Sequence, residues 1–396
     1  MIDRLTMGVI PPKPHTVLRG PDGALLYEEM FTRNGFDGPF TSFYHRYPTT
    51  AAREVKASPR GWSKPVAAPE GAFPLRRRLY DTNAVFANAE EKAQLLDARV
   101  PLLFNEDMVV LAGRMSEADD VYFANNDGDE LWFIRTGSGR LESQCGFLDF
   151  RAGDYVHVPR SLIHRWLPDG AVELFGVEAR GDVGIPSGFR NTVGQLHMGA
   201  PYTHRDFVRP SAPISSFDRE PSGPCVLVAK RDDRFTELVL ERCPMDVVGW
   251  DGTVYPFAFA IEKYQPKTGA VHLPPTVHTT FVGQGFVVCS FVPRLTDYHP
   301  DAIPCPYPHA NVHCDEVILY LRGNFTSRKG VGPGALSLHP RGVAHGPHPG
   351  AYEKSIGSVR TDEMAVMLDT WKGLHPTAQA LTIENASYHD SWRISP

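Results

Sequence analysis

Residues 308–323 read PHANVHCDEVILYLRG, and residues 334–349 read GALSLHPRGVAHGPHP. In the first stretch six residues separate Glu316 from Gly323. In the second, Gly334 is followed by five residues, Pro340, one residue, Gly342, two residues and His345. The run Val317-Ile318-Leu319-Tyr320-Leu321 is apolar and β-prone, so Glu316 opens a strand that Gly323 closes in a turn. Residues 335–339 are expected to form a second strand. Pro340-Arg341-Gly342 then turns the chain, and His345 is expected to begin a third. Neighbouring antiparallel strands would carry Glu316 and His345 to one mouth, joined by His309, which lies seven residues before Glu316. Two imidazoles and one carboxylate leave coordination positions open. Such a set suits non-haem Fe(II), which must bind O₂ and a chelating ligand together. A structural zinc ion would fill its four positions with Cys and His. A lone histidine more often serves a hairpin or a polar surface, but here two separately spaced motifs agree and lie in order.

The halves E-x6-G and G-x5-P-x-G-x2-H resemble the metal signature of cupins, and a second, imperfect copy lies upstream. Glu130 precedes Gly137 by the same interval. Gly153, Pro159 and His164 follow, with Ser161 where the signature has glycine. Phe123 and Asn125 stand where the first-half histidines would be. The expected fold is therefore mainly β, with two cupin (jelly-roll) barrels in one chain. The N-terminal barrel is degenerate, retaining only Glu130 and His164, and the C-terminal one binds metal. The expected division is a strand-rich extension over 1–115, the degenerate cupin over 116–180 and a connecting segment over 181–265. The metal-binding cupin covers 266–372 and a surface tail 373–396.

Composition narrows the function. The 396 residues include 35 Gly and 35 Pro, as expected for many short strands joined by turns. A net charge of −6 argues against a nucleic-acid or anionic-membrane partner. No apolar run is long enough to span a bilayer, and the N-terminus lacks the apolar core of a signal peptide. The six Cys form no CxxC pair, which favours reduced thiols and a cytoplasmic location. Cys314, beside the ligands, reads as a small buried residue.

Along the chain, strands are expected at Leu131–Ile134, Phe147–Phe150, Asp154–Val158, Cys225–Lys230, Asp246–Gly252, 254–261, Phe286–Val292 and Glu363–Asp369. Residues 88–97 are expected to form one or two helical turns. Arg76-Arg77-Arg78 reads as a solvated face or a subunit contact. His15 and His45 read as surface or packing residues. His272 and His278 precede the Phe286 strand, and either could relay a proton near neutral pH.

With the ligands in view, the chain resembles the bacterial homogentisate 1,2-dioxygenases over nearly its whole length. The resemblance is carried by IPPKPHT (10–16), YHRYP (44–48), GSGRLES (137–143), GDYVHVPR (153–160), VCSFVPR (288–294), DEVILYLRGNF (315–325) and SLHPRGVAHGPHPG (337–350). It implies an Fe(II) enzyme that opens the ring of 2,5-dihydroxyphenylacetate with O₂ to give maleylacetoacetate in tyrosine and phenylalanine breakdown. It implies iron ligands at His309, Glu316 and His345, and a substrate-contacting histidine at His339. The family's acid/base histidine falls at His272 or His278, with His272 the better match. A homo-oligomer, trimer or hexamer, is also implied, with the small aromatic substrate and O₂ as partners. The segment from His309 to Glu316 is one residue longer than the eukaryotic pattern, which makes His313 a rival ligand although cupin spacing favours His309. Phe325 and Arg328 stand where eukaryotic members carry Tyr and Lys. Arg328 could still hold the substrate carboxylate in a bidentate fork. The pocket around Phe325, Arg328 and Lys329 is where a homogentisate enzyme would differ from one acting on another hydroquinone such as gentisate. A non-enzymatic small-molecule-binding bicupin would have no need of an open iron site.

Overall fold

A computed structural model describes residues 2–69, 73–211, 215, 217, 223–273, 275–325, 328 and 330–393. It is mainly β, and the two signatures lie in separate sheet systems. The upstream signature sits between an eight-stranded and a seven-stranded sheet. The eight-stranded sheet carries Glu130–Thr136 between Asp154–Val158 and Val172–Ala179, and continues through Met108–Met115 and Arg99–Phe104. The facing sheet carries Ser138–Ser143, His164–Pro168, Tyr122–Asn125 and Cys225–Arg231, and ends on Ala52–Ala57. Strands before residue 116 and after 180 thus complete the sheets around Glu130.

The second signature lies in another seven-stranded sheet. Its centre is Phe286–Phe291, Met364–Thr370, Asp315–Arg322 and Ala335–His339, and its edge is Arg78–Asp81. Antiparallel pairing sets Glu316 opposite both His339 and Asp369. Side chains alternate along a strand, so Glu316, Ile318 and Tyr320 share one face. Ile318 and Tyr320 pack there with Cys289, Ala365 and Met367 in a satellite cluster, while Val317 and Leu319 on the other face enter the main core. One strand therefore joins the core on one side and carries Glu316 and the satellite cluster on the other. Gly323 ends it at φ +97°, where a Cβ would stand 2.4 Å from the Asp362 carbonyl oxygen. Only glycine fits that turn.

Most expected strands are present, some shifted by a residue or two. Three expectations are corrected. Residues 88–97 are not helical; the helix is Thr82–Ala87, because the Asp81 carboxylate caps it by accepting from the Asn83 N–H. His345 does not begin a strand. Pro347 and Pro349 follow it and cannot donate to a ladder, so it forms only an isolated bridge with His309, each N–H donating to the other's carbonyl at 2.8 Å. The arginine run is not a solvated face. Arg76 and Arg78 both bind Glu384 near the C-terminus, at 3.1 and 2.7 Å.

A smaller sheet of Leu5–Gly8, Val247–Gly252, Phe40–His45 and Tyr27–Thr32 flanks the first unit. His45 is buried there, with Nδ1 2.6 Å from Asp246 and Nε2 3.1 Å from Glu29. Burial opposes a charge on His45, but the two carboxylates more than offset it and raise its pKa to about 9. The group is therefore worth most below its ordinary value of 6.5, and its contribution is lost as pH rises through about 9. Full loss amounts to ~3 kcal/mol. Thermal melts from about pH 6 to about pH 10 should show this decline, and His45→Gln should flatten it. A wild-type curve that stays flat to pH 10 contradicts the assignment. Among the described residues, no helix is long and apolar enough to cross a membrane.

Candidate metal centre

His309, Glu316 and His345 offer one ligand atom each within 4.8 Å of one another. Nε2 of His309 lies 3.6 Å from one Glu316 carboxylate oxygen, and Nε2 of His345 lies 3.5 Å from the other. Their rings are 4.3 Å apart, held by the reciprocal backbone bridge. His345 Nδ1 is 2.9 Å from the Val343 carbonyl. A carbonyl only accepts, so Nδ1 carries the proton and the Nε2 lone pair is left facing Glu316. That Nε2 is buried and has no hydrogen-bond partner. An orphaned lone pair beside a carboxylate is what a divalent cation satisfies, and the donor set fits one that keeps open positions.

Electrostatics agree. Burial raises the pKa of Glu316, yet His309, His339 and His345 hold it well below the usual range, so the carboxylate stays ionised. Burial, then Glu316, push Asp369 up to about 7, with His309 opposing. His313, the rival ligand, is exposed and outside the group. His309→Ala should lower metal affinity by at least ~10-fold, while His313→Ala should leave it unchanged. Metal content after dialysis reads both, and the reverse pattern would move the ligand to His313.

The other sequence candidates fall around this group. His339 is fully buried and donates from Nδ1 to Glu316 Oε1 at 2.7 Å; its Nε2 has no partner. Burial lowers its pKa to about 4, so it is neutral at physiological pH. His272 is exposed, 3.6 Å from Asp297, and edge-on to Tyr307 at 5.1 Å; Tyr307 in turn approaches His309 at 6.4 Å. His278 is buried against Phe291 at 4.6 Å, and burial lowers its pKa to about 3. Phe325 is buried edge-on to Tyr320 at 4.8 Å. Arg328 donates to the Gly346 carbonyl next to His345. Lys329 lies outside the described residues. Cys314 is half-buried and takes no part in the group. Sequence reading missed Asp297, whose only signal was its proximity in chain to the ligands.

The upstream signature holds a different cation. Glu130 is buried and ion-paired to the buried Arg99, and accepts from Asn125 and from the Trp132 indole at 2.8 Å each. The Arg99 guanidinium lies 4.4 Å from the Trp62 ring, 4.8 Å from Phe123 and 5.1 Å from Trp132. Burial raises the pKa of Glu130, but Arg99, then His164, bring it down to about 2. An arginine caged by aromatic faces thus supplies the positive charge that a metal ion would supply in the other unit. Nearby, Asp127, Glu178 and Asp233 form a further carboxylate group. Two cations already pair with it: Lys230, at 2.6 Å from Asp127, 2.6 Å from Glu178 and 3.0 Å from Asp233, and Arg180, at 3.1, 3.4 and 2.8 Å from the same three.

Family models match both halves of the chain. Residues 107–261 match the family described as homogentisate 1,2-dioxygenase N-terminal, and residues 258–395 match homogentisate 1,2-dioxygenase C-terminal. A protein of Saccharolobus solfataricus, designated a dioxygenase with no substrate named, is 35% identical over 98% of both chains. The homogentisate 1,2-dioxygenase of Pseudomonas putida is 25% identical over 98% of this chain and 92% of its own. That of Rhizobium rhizogenes is 26% identical over 73% of this chain, which spans 64% of its length. Among solved structures, a cupin 2 conserved barrel domain protein from Leptotrichia buccalis covers 74% of this chain and 96% of its own, at 9% identity and a TM-score of 0.35. Both halves of the chain match, in order, and the chain belongs to the homogentisate 1,2-dioxygenase family.

Proposed function

We propose that this chain is an Fe(II)-dependent dioxygenase that opens the ring of homogentisate with O₂ to give maleylacetoacetate. The observation that carries the reading is the open three-donor group of His309, Glu316 and His345, with no fourth His, Cys, Asp or Glu joining it among the described residues. Bound there, iron would hold substrate and O₂ side by side and pass electrons between them. The chain's own side chains do the rest. His339 fixes the Glu316 carboxylate through Nδ1 and keeps Nε2 for a substrate oxygen. His272 accepts a phenolic proton, and Asp297 stabilises the imidazolium that results. His278 is a poor base for this step, because burial that brings its pKa down to about 3 leaves an imidazole too weakly basic to keep a phenolic proton. Arg328 meets the carboxylate, and Phe325 gives the ring an apolar wall.

The test is substrate discrimination. Homogentisate and gentisate differ by one methylene between ring and carboxylate, a difference worth about 10–200-fold in kcat/KM in a fitted pocket. We expect homogentisate to be favoured by that order, with O₂ uptake measured at matched iron loading. A preference for gentisate, or no uptake with either, would sink the reading.

A further inference from the structure

Three cationic or donor side chains from distant parts of the chain meet beside the metal group, and among the described residues no carboxylate lies in ion-pair range of either arginine. Arg77 comes from the arginine run. Its neighbours Arg76 and Arg78 face Glu384, so Arg77, between them in an extended chain, faces the other way. Its guanidinium lies 4.0 Å from the Trp392 ring. The Trp392 indole donates to the Gly346 carbonyl at 3.2 Å, and Arg328 donates to the same oxygen. Gly346 follows His345 directly, so both residues stand next to the ligand loop. Tyr388 packs edge-on to Trp392 at 5.0 Å and is 3% exposed.

The hydroxyl of Tyr388 is buried with no hydrogen-bond partner, as are the Nε atoms of Arg77 and Arg328. Neither arginine has a carboxylate within ion-pair distance among the described residues; Arg77 feels the charge of Arg328, both lie near the Tyr388 phenol, and Arg328 also bonds the Tyr320 hydroxyl. Glu316 is near enough to act on both Arg328 and Tyr388. Arg328 repels the Arg77 guanidinium, which has no ion-pair partner of its own among the described residues, and burying an unmatched hydroxyl beside them adds a desolvation cost. An incoming carboxylate removes both penalties and accepts from all three groups.

We propose that Arg77, Arg328 and Tyr388 form the carboxylate-binding end of the substrate pocket. The substrate class is then an aryl acid whose charged arm reaches under the C-terminal turn while its ring oxygens face His309, Glu316 and His345. The inference rests on the ring-opening reading for the orientation of the ring, and on the unmatched donors alone for the anion. Arg77 and Tyr388 are specificity residues that pairwise spacing in the sequence could not connect.

The test uses binding as well as turnover. Phenylacetate and benzyl alcohol serve as probes of the metal-free full chain by calorimetry, with Arg77→Gln and the near-isosteric Tyr388→Phe beside wild type. Wild type should bind phenylacetate, and Arg77→Gln should weaken it about 10- to 100-fold, the loss of one charge-assisted contact. Tyr388→Phe should weaken it about 5- to 10-fold. Benzyl alcohol binding should not respond. In the iron-loaded enzyme, the preference for homogentisate over methylhydroquinone should fall by the same factors. Equal losses for both probes, unchanged phenylacetate binding in both variants, or no saturable binding by wild type would each overturn the proposal. Arg77-dependent phenylacetate binding without homogentisate turnover would uphold the anion site and refute the ring-opening reading instead.

Discussion

Glu316→Gln is expected to strip the protein of bound iron and to lower turnover by on the order of 10³-fold, the kinetic equivalent of ~4 kcal/mol of metal-supplied stabilisation. The substitution keeps shape and removes charge. Glutamine's carbonyl oxygen can still accept from His339 Nδ1, which now donates to Glu316 at 2.7 Å, so the strand pairing with His339 should survive. What disappears is the only carboxylate in the donor group, and with it the ionised oxygens that lie 3.5 and 3.6 Å from the two imidazoles. Two neutral imidazoles alone hold a hard divalent cation poorly. Iron content per chain and O₂ uptake, measured on the same sample, check the result. Full iron content with full activity in this variant would mean that the metal sits elsewhere.

Arg99→Met is expected to destabilise the fold by about 3–5 kcal/mol, because it leaves the buried Glu130 charge without its partner. Asn125 and Trp132 would still donate to that carboxylate, but neither carries charge. The double substitution Arg99→Met with Glu130→Gln should recover a large part of the loss, since removing both charges is far milder than removing one. Urea unfolding of the three proteins at neutral pH provides the comparison. A single-variant loss within about 0.5 kcal/mol, the range of ordinary surface changes, would show that Arg99 is not the cation of this unit.

These two sites also show what the sequence made legible. Glu316 and His345 could be read because each sits a fixed number of residues from a turn glycine, and turn geometry is local. The strand Asp315–Arg322 was legible for the same reason, from a β-prone run ending at a glycine with positive φ. Glu130 and His164 were legible as a signature that had lost its histidines, but what replaced the metal was not. Arg99 lies 31 residues before Glu130 and reaches it through a sheet whose order the local pattern does not state. Arg77 and Tyr388 are further apart still, and they meet only because Glu384 pulls the C-terminal segment onto Arg76 and Arg78. The expected strand at His345 failed on a local rule given too little weight: two prolines follow, and the ligand is held by a single reciprocal bridge instead. Of the two histidines left open by spacing, burial separates them, since His278 is enclosed and His272 is exposed beside Asp297.

The most direct test of the proposed chemistry is anaerobic reconstitution with Fe(II), followed by aerobic addition of homogentisate while O₂ consumption and the absorbance of the ring-opened product are followed together. The prediction is one iron per chain and O₂ consumed in equal proportion to product. Iron bound at that ratio with neither O₂ uptake nor product would contradict homogentisate as the substrate, and failure to bind iron at all would contradict the assignment of His309, Glu316 and His345 as its ligands.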